Sequence, residues 1–255
     1  MRLATFNILH GRSPADGTVD VSRLAAAVRE LDADVLALQE VDRDQPRSHL
    51  ADLTAVTAEA MGAVAHRFVA ALSGTPGAAW TAATGRDQPG CASYGIALLA
   101  RYPASSWQVV RLPRLAARIP IWLRGPRELA IVREEPRVAV IGTLQTPIGD
   151  LVVANTHLSF VPGWARRQLV HLRRDLAQFR EPVVLMGDLN MPAPKPTRIT
   201  GYRPLAQAAT FPADEPRRQI DHVLARGALP RLISHRAFAP AISDHRALIV
   251  ELAAD

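Results

Sequence analysis

The chain has 255 residues, 48% of them hydrophobic, with a single cysteine and a formal charge of +6. That length supports one large α/β domain with a substantial core, and the lone Cys91 excludes an internal disulfide and a cysteine-built metal cluster. The positive excess is almost all arginine, Lys195 being the sole lysine, so it supports a phosphate-bearing partner only weakly and does not single out DNA.

Residues 2–9 read as a first buried strand, without the basic flank, long apolar stretch and small-residue cleavage site of a secretory signal. Together with the lack of a membrane-length apolar run, this gives the expectation of a cytoplasmic protein with no transmembrane segment. Residues 20–31 place Leu24, Val28 and Leu31 at helical spacing, with Asp20 positioned to cap them. Residues 35–38 form a second short strand, and residues 53–61 a helix stopped by Gly62. Strands at 68–72 and 96–99 flank a loop at 73–93 rich in Gly, Thr and Pro.

Residues 105–137 read as a second long loop, carrying Trp107 and Trp122 among seven arginines: Arg111, Arg114, Arg118, Arg124, Arg127, Arg133 and Arg137. A hairpin follows, with strands at 138–144 and 151–154. Residues 161–179 read as a helix with Trp164, Leu169, Leu172 and Leu176 on its apolar face. Residues 183–186 are a fourth central strand, and residues 191–197, with Pro192, Pro194 and Pro196, are expected to be irregular. Strands at 220–224 and 247–250 complete the set. Strands alternating with hairpins and occasional helices suit two β-sheets packed face to face with helices outside, in one domain over residues 1–255.

The chemistry sits where apolar runs end. Thr5-Phe6-Asn7, Leu38-Gln39-Glu40, Asn155-Thr156-His157, Gly187-Asp188-Leu189-Asn190, Gln219-Ile220-Asp221-His222 and Ser243-Asp244-His245 each close a run with an acid, an amide or an imidazole. Side chains at strand ends gather on one rim of a sheet. Carboxylates, carboxamides and histidines there bind a hard cation and move protons. Glu40 is a good Mg²⁺ ligand, though alone it reads equally as a solvated glutamate. Asn7 either orients Glu40, reaches a metal through water or caps a turn. Asp188 and Asn190, two apart, face the same way in an extended segment, or else belong to an Asx turn before Pro192. Asp221, Asp244 and His245 supply an acid–imidazole pair. His10, three residues beyond Asn7, either reaches a substrate phosphate or is a loop histidine, whereas His222 beside Asp221 points to the opposite face and suits packing.

This ordered set, from Arg2-Leu3-Ala4-Thr5-Phe6-Asn7 to Ser243-Asp244-His245-Arg246, resembles the endonuclease/exonuclease/phosphatase superfamily, with Gly-Asp-x-Asn followed by Ser-Asp-His as its most specific part. Pancreatic-type DNases, AP endonucleases, neutral sphingomyelinases and inositol-polyphosphate phosphatases belong to it. The resemblance implies a four-layer α/β/β/α sandwich and a Mg²⁺-dependent phosphoesterase, with Mn²⁺ as a possible substitute. It implies metal binding by Glu40, helped by Asn7 and Asp244, and water activation by Asp188. Asn190 then contacts the phosphoryl group, His245 sits at the phosphate with Asp221 as its partner, and His157 lies beside the leaving-group oxygen, with general-acid help from its imidazole. Tyr94 matches a phosphate-side tyrosine of some relatives. Asn155-Thr156-His157-Leu158 departs from the AP-endonuclease pattern and argues against abasic-site cleavage. The substrate class stays open between nucleic acid and a phospholipid or small phosphoester. The leading expectation is a nuclease-like phosphodiesterase; the alternatives are a phosphatase or phospholipase C-type enzyme, and a non-catalytic phosphate-binding module.

Overall fold

A computed structural model describes residues 1–85, 90–115, 118–123, 128–180 and 182–253. In chain order the first half holds β1 (Arg2–Asn7), α1 (Val21–Leu31), β2 (Val35–Arg43), α2 (Leu53–Met61), β3 (Ala65–Gly74), β4 (Trp80–Ala82), β5 (Ser93–Ala100) and β6 (Ala104–Arg111). Next come β7 (Arg118–Leu123), β8 (Glu128–Arg133), β9 (Val138–Thr146), β10 (Gly149–His157), α3 (Pro162–Leu176) and β11 (Val183–Asp188). The chain closes with α4 (Lys195–Thr200), β12 (Arg203–Pro204), β13 (Asp221–Arg226), β14 (Leu232–Phe238) and β15 (Ala247–Leu252).

One sheet has seven strands in the order β14-β15-β1-β2-β5-β3-β4, and the other six in the order β12-β13-β11-β10-β9-β6. Each is mixed, with a single kind of parallel pairing at its centre: β1 with β2, and β10 with β11. The period-2 alternation of the strands explains the layering. In β2, Val35 and Ala37 join Val153 of β10 and Val184 of β11 in a core between the sheets. The intervening Leu36 and Leu38 face Leu24, Val28 and Leu31 of α1 and Met61 of α2. On the other side, Val152 and Ala154 of β10 and Leu185 of β11 meet Leu169, Leu172 and Leu176 of α3. Three apolar layers therefore separate four layers of secondary structure, the sandwich the resemblance implies.

Several local expectations change. The first strand stops at Asn7, and Leu9–Gly11 form a 3₁₀ turn in which His10 has φ 47°. β2 does not end at Glu40 but continues to Arg43, with a bulge between Gln39 and Val41 opposite β5. The stretch 105–137, expected as loop, contains most of β6 and the separate hairpin β7–β8, and 73–93 contains β4. Residues 191–197 are not wholly irregular: α4 begins at Lys195, because Pro196 falls in its first turn, where a missing N–H costs nothing. β14 was invisible to hydrophobic patterning because it is an edge strand exposed along most of its length.

A buried polar bridge ties the two sheets together beneath the rim. Asn155 of β10 donates to the carbonyls of Leu38 and Ala97, both at 2.8 Å, and accepts from Gln39 Nε2 at 2.7 Å. Its side chain is fully buried, so truncation strands two carbonyls and an amide away from water. Asn155→Ala is expected to cost about 3 kcal/mol, read as a lowered urea midpoint with an unchanged slope.

Candidate active site

Strand register assembles the centre. On three neighbouring strands His157 is paired with Asp188, and Asp188 with Asp221. β1 supplies Asn7 from the facing sheet, and the segment before β15 supplies Asp244 and His245. A cavity of about 720 Å³ opens over them, lined among others by Glu40, Tyr94, Arg137, His157, Asp188, Asn190 and His245.

Asp188 is at the centre. Its Oδ2 accepts from Asn7 Nδ2 at 3.2 Å and lies 3.5 Å from His157 Nε2 and 3.8 Å from His245 Nε2. Its Oδ1 accepts from the backbone N–H of Asn190 at 2.9 Å. Burial, then the nearby Asp221 carboxylate, raise its pKa to about 7. His245 Nδ1 and Asp221 Oδ2 are 3.0 Å apart. Burial opposes the charge on His245, but Asp221 and Asp188 outweigh it and raise the pKa to about 10, so the ring is an imidazolium at neutral pH and donates to Asp221. Phe211 packs on that ring at 4.9 Å between centroids.

The two histidines are opposites. His157 is held well below its ordinary pKa, first by burial and then by Arg137 and His245. Arg137 Nη1 lies 3.1 Å from His157 Nδ1. Guanidinium only donates, so Nδ1 is the acceptor and the ring proton sits on Nε2, toward Asp188. Arg137 is held in turn by Glu134 at 3.4 Å and Glu135 at 3.8 Å. Arg137 looked like one arginine among seven in a loop. The signal that could have found it was the hairpin register: β9 pairs Ala139 with Thr156, which brings the chain just before β9 beside His157.

Glu40 is half-buried with φ 58°, so the bulge in β2 turns it out of the strand alternation toward the cavity. It accepts from Asn7 Nδ2 at 3.0 Å. Burial raises its pKa, with Asn7 opposing and the Asp244 carboxylate adding to the rise. Among the described residues, the side chains of Glu40 and Asp244 make no other hydrogen bond. Asn7 was expected beside a metal, but its amide nitrogen serves Glu40 and Asp188 while its Oδ1 accepts from Leu9 N–H at 3.1 Å. Its amide nitrogen thus bridges the two carboxylates.

Asn190 does not share an extended segment with Asp188: β11 ends at Asp188, and Asn190 has φ 51°. The Asx turn from Asp188 brings it to the cavity, and its Nδ2 donates to Leu158 O at 3.0 Å. Tyr94 lines the cavity, its phenol kept neutral by burial and by Glu40, with the Arg47 guanidinium 5.5 Å over the ring. His10 is not among the cavity-lining residues; the 3₁₀ turn leaves it half-buried, and burial with Arg47 and Arg12 lowers its pKa to about 4. His222 lies on the other face, its Nε2 2.8 Å from Met191 O.

Of the tryptophans, Trp80 in the 73–93 stretch lines the cavity, with Arg133 4.6 Å and Arg114 5.4 Å over its ring. Trp107 packs against Gly142 and Trp164 donates to Pro113 O at 2.9 Å, neither lining the cavity. Arg86, Arg124 and Arg127, and the side chains of Arg118 and Trp122, lie outside the described residues.

A profile described as the Endonuclease/Exonuclease/phosphatase family matches residues 4–245. No curated protein matches the sequence. Among solved structures, the chain is similar to an endonuclease/exonuclease/phosphatase from Beutenbergia cavernae DSM 12333, at 27% identity and TM-score 0.70, covering 98% of this chain and 70% of that one. It shares its fold with a mannosyl-6-phosphatase of Bacteroides thetaiotaomicron VPI-5482, at 16% identity and TM-score 0.61, covering 100% of both chains. It also shares it with beta toxin from Staphylococcus aureus, at 11% identity and TM-score 0.64, covering 99% of this chain and 100% of that one. Among the described residues no helix is long and apolar enough to cross a membrane.

Proposed function

The chain belongs to the Endonuclease/Exonuclease/phosphatase family of phosphoester hydrolases, and from that premise we propose that it is a Mg²⁺-dependent, nuclease-like phosphodiesterase. The observation that carries this reading is Asp188: a buried carboxylate with a pKa near 7, within 4 Å of one neutral and one charged imidazole.

The donor set fits a hard cation. Glu40 and Asp244 are neighbouring carboxylates left largely unpaired by the protein, and oxygen donors suit Mg²⁺ or Mn²⁺. The ligand atoms of Asp188, Asp221 and His245 also lie within 4.8 Å of one another. In that trio, however, Asp221 accepts from the charged His245, which makes it a proton network. Glu40 and Asp244 would therefore hold the ion. When bound, it supplies positive charge for the phosphoryl and leaving-group oxygens.

The protein's own groups do the rest. Asp188, oriented by Asn7 and the Asn190 N–H, holds a water in line with phosphorus and takes its proton as the new P–O bond forms. A base with a pKa near the working pH is well matched to that task. His245, fixed by Asp221, keeps a full positive charge against a phosphoryl oxygen as the bond to the leaving group breaks. His157 was expected to give general-acid help. With Arg137 on Nδ1 its neutral ring instead offers Nε2–H as a hydrogen-bond donor, not as a source of an acidic proton. Asn190 and Tyr94 line the phosphoryl side of the cavity.

The test is turnover with Mg²⁺, Mn²⁺ or EDTA on bis-p-nitrophenyl phosphate, p-nitrophenyl phosphate, plasmid DNA, single-stranded RNA, sphingomyelin and inositol phosphates. Diester and nucleic-acid cleavage that stops in EDTA and returns with Mg²⁺ is expected. Release of inorganic phosphate from monoesters with all diesters untouched would replace the reading with a phosphatase. Silence across the panel in the folded, metal-supplied protein would leave a binding module.

A further inference from the structure

Beside the active-site cavity lies a second hollow of about 530 Å³, and the two share Phe160, Asn190 and Arg218. Arg166 of α3 and Lys195 and Arg198 of α4 complete its cationic lining. All four cations are exposed, and among the described residues none of them forms an ion pair. Among the described residues no aspartate or glutamate lines the hollow. Several arginines elsewhere are matched, Arg2 with Glu251, Arg23 with Asp16, Arg47 with Asp42 and Arg101 with Asp32. Like charges concentrated without counter-charge repel one another, and an anion placed between them removes the penalty.

We infer that this hollow binds further backbone phosphates of a single nucleic-acid strand whose scissile phosphate sits over Asp188. The inference rests on the phosphodiesterase reading and names its substrate class. Four cations spread over the walls exceed what one phosphate engages, so the ligand they suit carries several. Between them lie Met191 and Ile199, and at the junction with the active site stands Phe160, 41% exposed. An aromatic face at that point stacks a base while the cations follow the backbone. A membrane surface would need several exposed apolar side chains around the cations. Among the described residues the other large exposed ones do not line this hollow: Val109 and Ile233 line different ones, and Leu50, Val64 and Leu232 are not in its lining.

The test compares wild type with Lys195→Ala/Arg198→Ala, two exposed positions absent from the active-site lining. In EDTA, binding of a labelled oligothymidylate of about eight nucleotides is followed against salt. Removing two phosphate contacts is expected to weaken binding roughly tenfold at low salt and to flatten the log–log salt slope by about 1.4. With Mg²⁺, turnover of bis-p-nitrophenyl phosphate, which has one phosphate, stays at the wild-type rate while oligonucleotide cleavage falls by about the same factor. Unchanged oligonucleotide binding and slope would overturn the inference while leaving the hydrolase reading intact. Loss of binding to phosphatidylglycerol vesicles without loss of oligonucleotide binding would overturn it in favour of a lipid surface. Oligonucleotide binding that drops in the variant, in a protein that cleaves nothing, would keep the pocket and discard the hydrolase.

Discussion

Asp188→Asn is expected to lower kcat/KM on bis-p-nitrophenyl phosphate by roughly 10³-fold, the usual scale for a positioned general base. The substitution keeps the shape of the side chain but removes its capacity to take a proton. The wild-type pH profile should show the cause. Activity requires ionised Asp188, so it rises with pH through about 7. It also requires charged His245, so it falls as pH passes about 10. The variant's residual activity should lose the acid limb and keep the alkaline one. Stability separates this from a structural defect. The pKa of Asp188 is raised in the folded state, so folding favours its protonated form, and ionisation costs stability as pH rises toward 7. A neutral asparagine avoids that cost, so Tm at pH 8 should hold or rise. A fallen Tm matched to the lost activity would reassign Asp188 to packing.

Gly187→Ala should be among the most damaging single-methyl changes at the described glycines. Gly187 has φ 139°, a region closed to side chains, and an added Cβ would lie 1.9 Å from Thr156 O. That oxygen belongs to the backbone of β10, paired with Gly187 across the parallel strands. Neither strand can retreat, because His157 and Asp188 occupy the next rung and the α3 core lies behind. A loss of about 4 kcal/mol or more follows, equivalent to a Tm lower by roughly 8–16 °C in a chain of this size. Thermal unfolding measures it directly. A loss under about 1 kcal/mol would mean that β10 and β11 separate freely and that their register does not hold the site.

Much of the architecture was legible because it is local. Asp20 caps α1, Gly62 closes α2, and apolar runs mark the central strands. Such signals depend on neighbours a few positions apart, which is why residues at the ends of apolar runs pointed to the rim. Elements with no buried face to advertise them, such as β14 and the polar side of β6, left no such trace. His10 misled for a related reason: closeness in sequence to Asn7 says nothing about the turn that carries it off the cavity.

The residue types proposed to bind a cation, take a proton and contact a phosphate were thus legible in the sequence, as was the sandwich that displays them. Tertiary structure decided their states. Arg137 and Asp221 reach their histidines from 20 and 24 residues away; burial together with Arg137 keeps His157 neutral, while Asp221 holds His245 charged against burial. The loss of water around Asp188, then the Asp221 carboxylate, move its pKa to about 7. The bulge at Glu40 and the Asx turn at Asn190, not strand alternation, turn both toward the cavity. Protonation and aim depend on distances and burial across strands that only the packed chain brings together, and no single segment encodes them.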